Sequence, residues 1–104
     1  MTLEYSVNWH PKTEDDLAIL PLNLARGIVK NTEHRLSLAP TTIGEPLKGT
    51  TSLLWKFGYS QYRVIYTIKD ATKQVWVLSV QKRSKVYRTQ HLESLIRLAA
   101  SLQQ

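Results

Sequence analysis

Residues 53–81, "LLWKFGYSQYRVIYTIKDATKQVWVLSVQ", hold three sheet-like runs separated by two turn-like clusters. "LLWKF", "YRVIYTI" and "QVWVLSVQ" are rich in β-branched and aromatic residues, whereas "GYSQ" and "KDATK" gather turn formers. Turns this short make successive strands antiparallel neighbours. With "GYSQ" as a four-residue turn, Phe57 lies opposite Tyr62 and Lys56 opposite Arg63. Alternation then puts Leu54, Lys56, Arg63 and Ile65 on one face, and Trp55, Phe57, Tyr62, Val64 and Tyr66 on the core face. With "KDATK" as the next turn, Ile68 pairs with Gln74 and Arg63 with Ser79. Val75, Val77, Ser79, Gln81 and, if the strand extends, Arg83 join the Lys56 face. Three cations from three strands are therefore expected on one open face.

Upstream, "LEYSVNW" alternates Leu3, Tyr5, Val7 and Trp9 with polar residues, the period of a half-buried strand, and Pro11 ends it. Thr13 and Asp16 resemble a helix N-cap pair, opening a short helix through "EDDLAIL" that Pro21 interrupts. Leu24, Ile28, Arg35 and Leu36 carry a second helix from Leu22 to about Leu38, stopped by Pro40. The two helices form a hairpin suited to covering one sheet face. Residues 40–52, "PTTIGEPLKGTTS", read as a loop. Downstream, "HLESLIRLAASLQQ" aligns Leu92, Leu95, Ile96, Ala99 and Leu102 on one stripe, expected to pack on the chain's own sheet or helices. The predicted architecture is α+β: an N-terminal strand, a helical hairpin, a three-stranded antiparallel meander completing a four-stranded sheet, and a C-terminal helix. It is one domain over residues 1–104, with a helical tail at 90–104.

Composition narrows the function. The chain of 104 residues is 42% hydrophobic, enough for one core. It has no cysteine, which excludes disulfides and thiolate metal sites and makes a reducing cytoplasm the expected location. The N-terminal stretch lacks the pattern of a secretory signal, and no segment approaches the roughly 20 apolar residues of a membrane span. The net charge of +6 is unevenly spread. Residues 1–50 hold five cations against six anions, and residues 51–104 hold nine against two. That excess points to a polyanionic partner. Its densest part is "QKRSKVYR", where Lys82, Arg83, Lys85 and Arg88 surround Tyr87 without a carboxylate. Like charges on neighbouring strands cost a few tenths to about 1 kcal/mol each. An anion pocket awaiting a phosphate accounts for that cost better than packing does. Tyr87 is placed to stack on a base, to hydrogen-bond the phosphate, or to cap the core edge.

"EPLKG", then "LWKFGYSQYRVIYTI", then "VWVLSVQKRSKVYR" together resemble the RelE/ParE toxin superfamily, and within it the RelE-type ribosome-dependent messenger RNA endonucleases. The resemblance covers nearly the whole chain in element order and is most specific from Glu45 to Arg88. It implies a RelE-like microbial RNase fold and a toxin co-expressed with an antitoxin that wraps and silences it, in a hetero-oligomer. It also implies metal-independent cleavage of messenger RNA in the ribosomal A site, inhibiting translation, with no cofactor and no membrane partner. Carried over by position, Lys56 matches the family's strand lysine, Arg63 the arginine of the next strand, Arg83 the arginine after the last strand, and Tyr87 the terminal tyrosine. Leu54 stands where some members have a second basic residue. The alternative within the superfamily is a ParE-type toxin, which inhibits DNA gyrase without cutting RNA and does not need that set of four.

Metal-free RNA cleavage requires deprotonating a ribose 2′-hydroxyl, stabilising a phosphorane and protonating the leaving 5′-oxygen. His10, His34 and His91 are scattered along the chain and read as surface residues. Repulsion among cations favours the neutral amine of a lysine, so Lys56 is the candidate base. Arg63 and Arg83 are expected to stabilise the phosphorane, with Arg83 also assisting the leaving oxygen. Tyr87 is expected to orient or stack, and Lys82, Lys85 and Arg88 to bind RNA.

Overall fold

The computed structural model describes residues 4–50 and 53–103. Leu3 of the predicted first strand, Thr51 and Ser52 of the predicted loop, and Gln104 of the tail lie outside them. β1 (Ser6–Trp9) leads into α1 (Lys12–Ala18) and α2 (Leu22–Leu38), the expected strand and helical hairpin. The meander is β3 (Trp55–Tyr59), β4 (Tyr62–Lys69) and β5 (Gln74–Lys82). Segment 40–52 is not all loop. It holds a helical turn, α3 (Pro40–Ile43), and a two-residue strand, β2 (Glu45–Pro46), that pairs with β3. The sheet therefore has five strands, not four, in the order β1-β5-β4-β3-β2. Gly44 makes the connection possible: a Cβ there would collide with the Tyr66 hydroxyl, which donates to Pro40 O at 2.5 Å. Two or three residues of pairing leave too little periodicity for a sequence reading to find β2.

β1 runs parallel to β5, with Ser6 opposite Gln74 and Trp9 opposite Val77. His10 adds one more bond to Val77 O, and then Pro11 turns the chain into α1. Beyond that point the edge of β5 would be bare. Asp16 covers it, its carboxylate accepting from Val80 N–H at 2.9 Å and from Gln81 Nε2 at 2.8 Å. Asp16 is thus no member of an N-cap pair. Nor is Thr13, which is buried with its hydroxyl donating to His10 O at 2.6 Å.

The strand registers differ from expectation in two ways. The β3–β4 turn is only Ser60–Gln61, with Ser60 at φ 56°, so Phe57 faces Val64, Lys56 faces Ile65, and Gly58 faces Arg63. The slip is by two residues, so the predicted faces survive it. Between β4 and β5 a bulge opens at Ile65/Tyr66, where Ile65 pairs with Ser79 but Tyr66 with Val77. Lys69, not Ile68, faces Gln74, and Arg63 faces Gln81 instead of Ser79. Leu78 is the extra residue. Val75 and Val77 consequently turn to the α1/α2 side, and only Ser79 and Gln81 of that predicted set stay with Arg63. Apolar residues occupy both parities of "VWVL", so alternation gave no hint of the inserted residue.

The result is three layers. One core, Ile28, Leu36, Phe57, Val64, Tyr66, Val75, Val77 and Val80, lies between the sheet and α1/α2. The second face is not open, as expected, but partly roofed by α4 (Arg83–Val86) and α5 (Thr89–Leu102). Leu54, Ile65, Leu78, Val86, Leu95 and Ala99 form a second core there. Each fully buried leucine contributes about 1.5–3 kcal/mol, so the tail stripe is reason enough for α5 to dock on its own sheet.

Candidate functional site

α5 covers the apolar half of the second face and stops short of its cationic end. Lys56 on β3 and Arg63 on β4 remain half-buried there, on the same face as the fully buried Leu54 and Ile65. Leu54 lies under α5, where a charged side chain would be desolvated without a partner. Arg83 is not an extension of β5. It begins α4, with its backbone N–H donating to Gln61 O at 2.8 Å, so the β3–β4 turn fixes where the cationic segment leaves the sheet. Fully buried Val86 then anchors α4 and presents Tyr87, which keeps 39% of its surface exposed.

These elements bring the expected residues together. Lys56 Nζ donates to the Tyr87 hydroxyl at 3.4 Å and lies 5.2 Å from the ring centroid, a cation–π distance. Arg63, Lys82, Arg83 and Tyr87 line one cavity of about 660 Å³, floored by Ser60 and Gln61. Arg63 Nη1 is pinned to that turn, donating to Ser60 O at 3.3 Å and Tyr62 O at 3.0 Å. Among the described residues no carboxylate lies within ion-pair distance of Lys56, Arg63 or Arg83. Lys82, the last residue of β5, reaches this cavity from the strand end. Lys85 lines a smaller cleft beside Asp16 and Tyr62, and Arg88 stands exposed at the start of α5. The set can bind a phosphate, deliver several N–H donors to a developing negative charge, and offer an aromatic face to a base.

The histidines take no part. His10 Nδ1 accepts from Lys12 N–H, and His34 is exposed on α2. His91 is not a free surface residue: its Nε2 lies 2.9 Å from the hydroxyl of fully buried Ser79, tying α5 to β5. Burial, with Lys12 adding to it, holds His91 below its ordinary value, against the pull of Asp16. Burial pushes the Asp16 carboxyl up, opposed by the Val80 N–H and by His91.

The model of the family described as "ParE toxin of type II toxin-antitoxin system, parDE" matches residues 7–87. The chain belongs to the RelE/ParE toxin superfamily. Among curated relatives it is 28% identical to Toxin RelG of Mycobacterium tuberculosis over 83% of this chain and 99% of that one. It is 32% identical to Toxin RelE of the same organism over 70% of this chain and 75% of that one. A solved structure, the toxin–antitoxin complex RelBE2 of M. tuberculosis, contains a chain 27% identical, with a TM-score of 0.70 over 77% of this chain and 99% of its own. This protein is thus a toxin of a type II toxin–antitoxin system with the expected α+β architecture.

Three residues beside the candidate site carry no signal in the sequence. Gly58 stands opposite Arg63, and a Cβ on it would lie 2.8 Å from Arg63 Nη1, so the guanidinium crosses β3 only because that position is glycine. Arg35 and Glu45 share with Lys56, Gly58 and Arg63 a second cleft of about 270 Å³ at the β2–β3 edge. Glu45, opposite Lys56 in the ladder, supplies the nearby carboxylate that sequence proximity had not suggested. In the sequence Arg35 reads only as a step in the helical stripe of α2. Knowing the strand order would have been the one route to both.

Proposed function

We propose that this toxin is a metal-independent endoribonuclease that enters the ribosomal A site and cuts messenger RNA there by 2′-hydroxyl attack, stopping translation. The observation that carries the reading is one cavity lined by Arg63, Arg83 and Tyr87, with Lys56 beside it donating to the Tyr87 hydroxyl. Lys56 takes the 2′-hydroxyl proton. The 2′-oxygen bonds to phosphorus as the bond to the 5′-oxygen breaks, leaving a 2′,3′-cyclic phosphate. Arg63 and Arg83 hold the phosphorane oxygens, Arg83 also bonds the departing 5′-oxygen, and that oxygen takes its proton from water. Tyr87 stacks on or orients a base, and Lys82, Lys85 and Arg88 hold flanking phosphates.

The natural silencer is a cognate antitoxin. The exposed side chains Ile19 and Leu22, 83% and 63% accessible, together with the basic surface, suit an acidic and apolar antitoxin segment in a hetero-oligomer. No helix among the described residues is long and apolar enough to cross a membrane, and the action we propose is cytoplasmic. A translation extract programmed with a defined messenger tests the function. Cuts within A-site codons are expected. Intact messenger accompanied by inhibited DNA gyrase would instead establish the ParE-type activity.

A further inference from the structure

We propose that the cleft at the β2–β3 edge is a second phosphate subsite, in which Arg35 holds a backbone phosphate adjoining the scissile one. The inference rests on the nuclease reading and extends it to a residue from another layer of the fold. Arg63 lines both this cleft and the larger cavity that contains Arg83 and Tyr87. One guanidinium serving both places two anion sites a single side chain apart, as consecutive phosphates of one strand require. The volume of about 270 Å³ is below the roughly 300–1,000 Å³ of sites for whole drug-sized ligands and suits a phosphate with its sugar.

The charges match that occupant. Arg35, Lys56 and Arg63 against Glu45 leave the cleft at +2, and among the described residues none of the four forms an ion pair. A cation in the last turn of α2 complements the helix dipole, an effect that needs no other cations nearby. It does not explain why Arg35 faces Lys56 and Arg63 across the sheet edge. A bound phosphate does. Glu45 then weakens binding, relieving repulsion while the cleft is empty and repelling the ligand when it fills.

The test uses the full chain and a fully 2′-O-methylated RNA hexamer, which lacks the attacking hydroxyl, with anisotropy measured across a salt series. Arg35→Ala is expected to weaken binding and to reduce the slope of log K against log salt by about 0.7, the share of one phosphate on a single strand. Arg35→Lys should restore most of the slope, and Glu45→Gln should tighten binding several-fold. In the translation extract, Arg35→Ala should raise the half-saturating ribosome concentration more than it lowers the maximal rate. Arg35 is exposed, so Arg35→Ala should lower the melting temperature only slightly, through the lost helix-dipole interaction, and Arg35→Lys should restore it. If Arg63→Ala lowers the slope and Arg35→Ala does not, the subsite is refuted and the nuclease reading stands. If neither changes it, the messenger reading falls as well. A normal slope with weakened binding to an acidic antitoxin peptide would assign the cleft to protein instead.

Discussion

Gly58→Ala isolates the placement of one guanidinium without removing any charge. The new methyl would sit 2.8 Å from Arg63 Nη1 and 3.1 Å from its Cζ. Ordinary contacts are about 3.5–4.0 Å, so the guanidinium must retreat by roughly 0.7 Å or more. That atom is also the one donating to Ser60 O and Tyr62 O, and the retreat strains or breaks both bonds. The obstacle is the far end of a flexible side chain, so the strand itself need not move. Replacing a strand glycine by alanine gains up to about 1 kcal/mol in chain entropy, and the melting temperature should stay level or rise. Messenger cleavage should fall about 10- to 100-fold, since a 1 Å misplacement costs on the order of 100-fold and complete loss of one electrostatic partner costs about 100- to 1,000-fold. The assay is primer extension on a defined messenger in a translation extract, alongside urea unfolding of the same preparation. A stable variant that cuts at the parent rate would refute the claim that Arg63 works from its place over Gly58. Loss of activity together with unfolding would refute the claim that the strand is unaffected.

Arg83→Ala should change folding stability by less than about 1 kcal/mol, because among the described residues only the backbone of Arg83 is bonded, while cleavage falls at least about 100-fold; an unfolded variant would make this cation structural. Leu95→Ala, at a fully buried position on the sheet-facing side of α5, should cost about 2–5 kcal/mol in urea unfolding, and a cost near zero would mean that α5 does not hold the second core. The folded toxin binds a proton on His91 less readily than the unfolded chain, whose value is near 6.5, so this contribution to stability is complete above that pH and is lost as pH falls through the folded value. Asp16, pushed up from 3.8 by burial, acts in the opposite sense starting from more acidic pH, so the quantity to measure is the stability difference between the parent and His91→Gln. A difference that does not vary with pH would sink the role of His91.

The legible parts of this fold were those written as periodicity. Trp55, Phe57, Tyr62, Val64 and Tyr66 declared the core face through alternation, and Leu95 and Ala99 declared the buried side of α5 through helical spacing. What stayed hidden was geometry that leaves no period. The bulge at Ile65/Tyr66 adds one residue inside an apolar run, and β2 is only two residues long. Asp16 as the cap of the β5 edge depends on where β1 stops, which in turn depends on a parallel pairing between the first and last strands. The site followed the same division. Lys56, Arg63, Arg83 and Tyr87 lie in or beside strands whose faces were readable. Arg35, Glu45 and Gly58 join them only through the strand order and a two-residue turn.

The observed register also changes the energetics of the cationic face. The expected four-residue turn set Lys56 directly against Arg63, the arrangement in which like charges disfavour a sheet most. In the structure neither faces a cation: Lys56 faces Ile65 on β4 and Glu45 on β2, and Arg63 faces Gly58 on one side and Gln81 on the other. Lys56 and Arg63 are then diagonal neighbours, at a Cα separation of about 7–8 Å, and repulsion in the empty state is weaker. Arg63 folds back over glycine onto the carbonyls of its own turn, and Lys56 turns to the ring and hydroxyl of Tyr87. The cations are thus held apart in the unliganded protein by the register and by these partners, at little cost to the fold. A phosphate that bridges them gains their combined charge without first having to order them. This is the condition under which electrostatic stabilisation of a transition state is most effective.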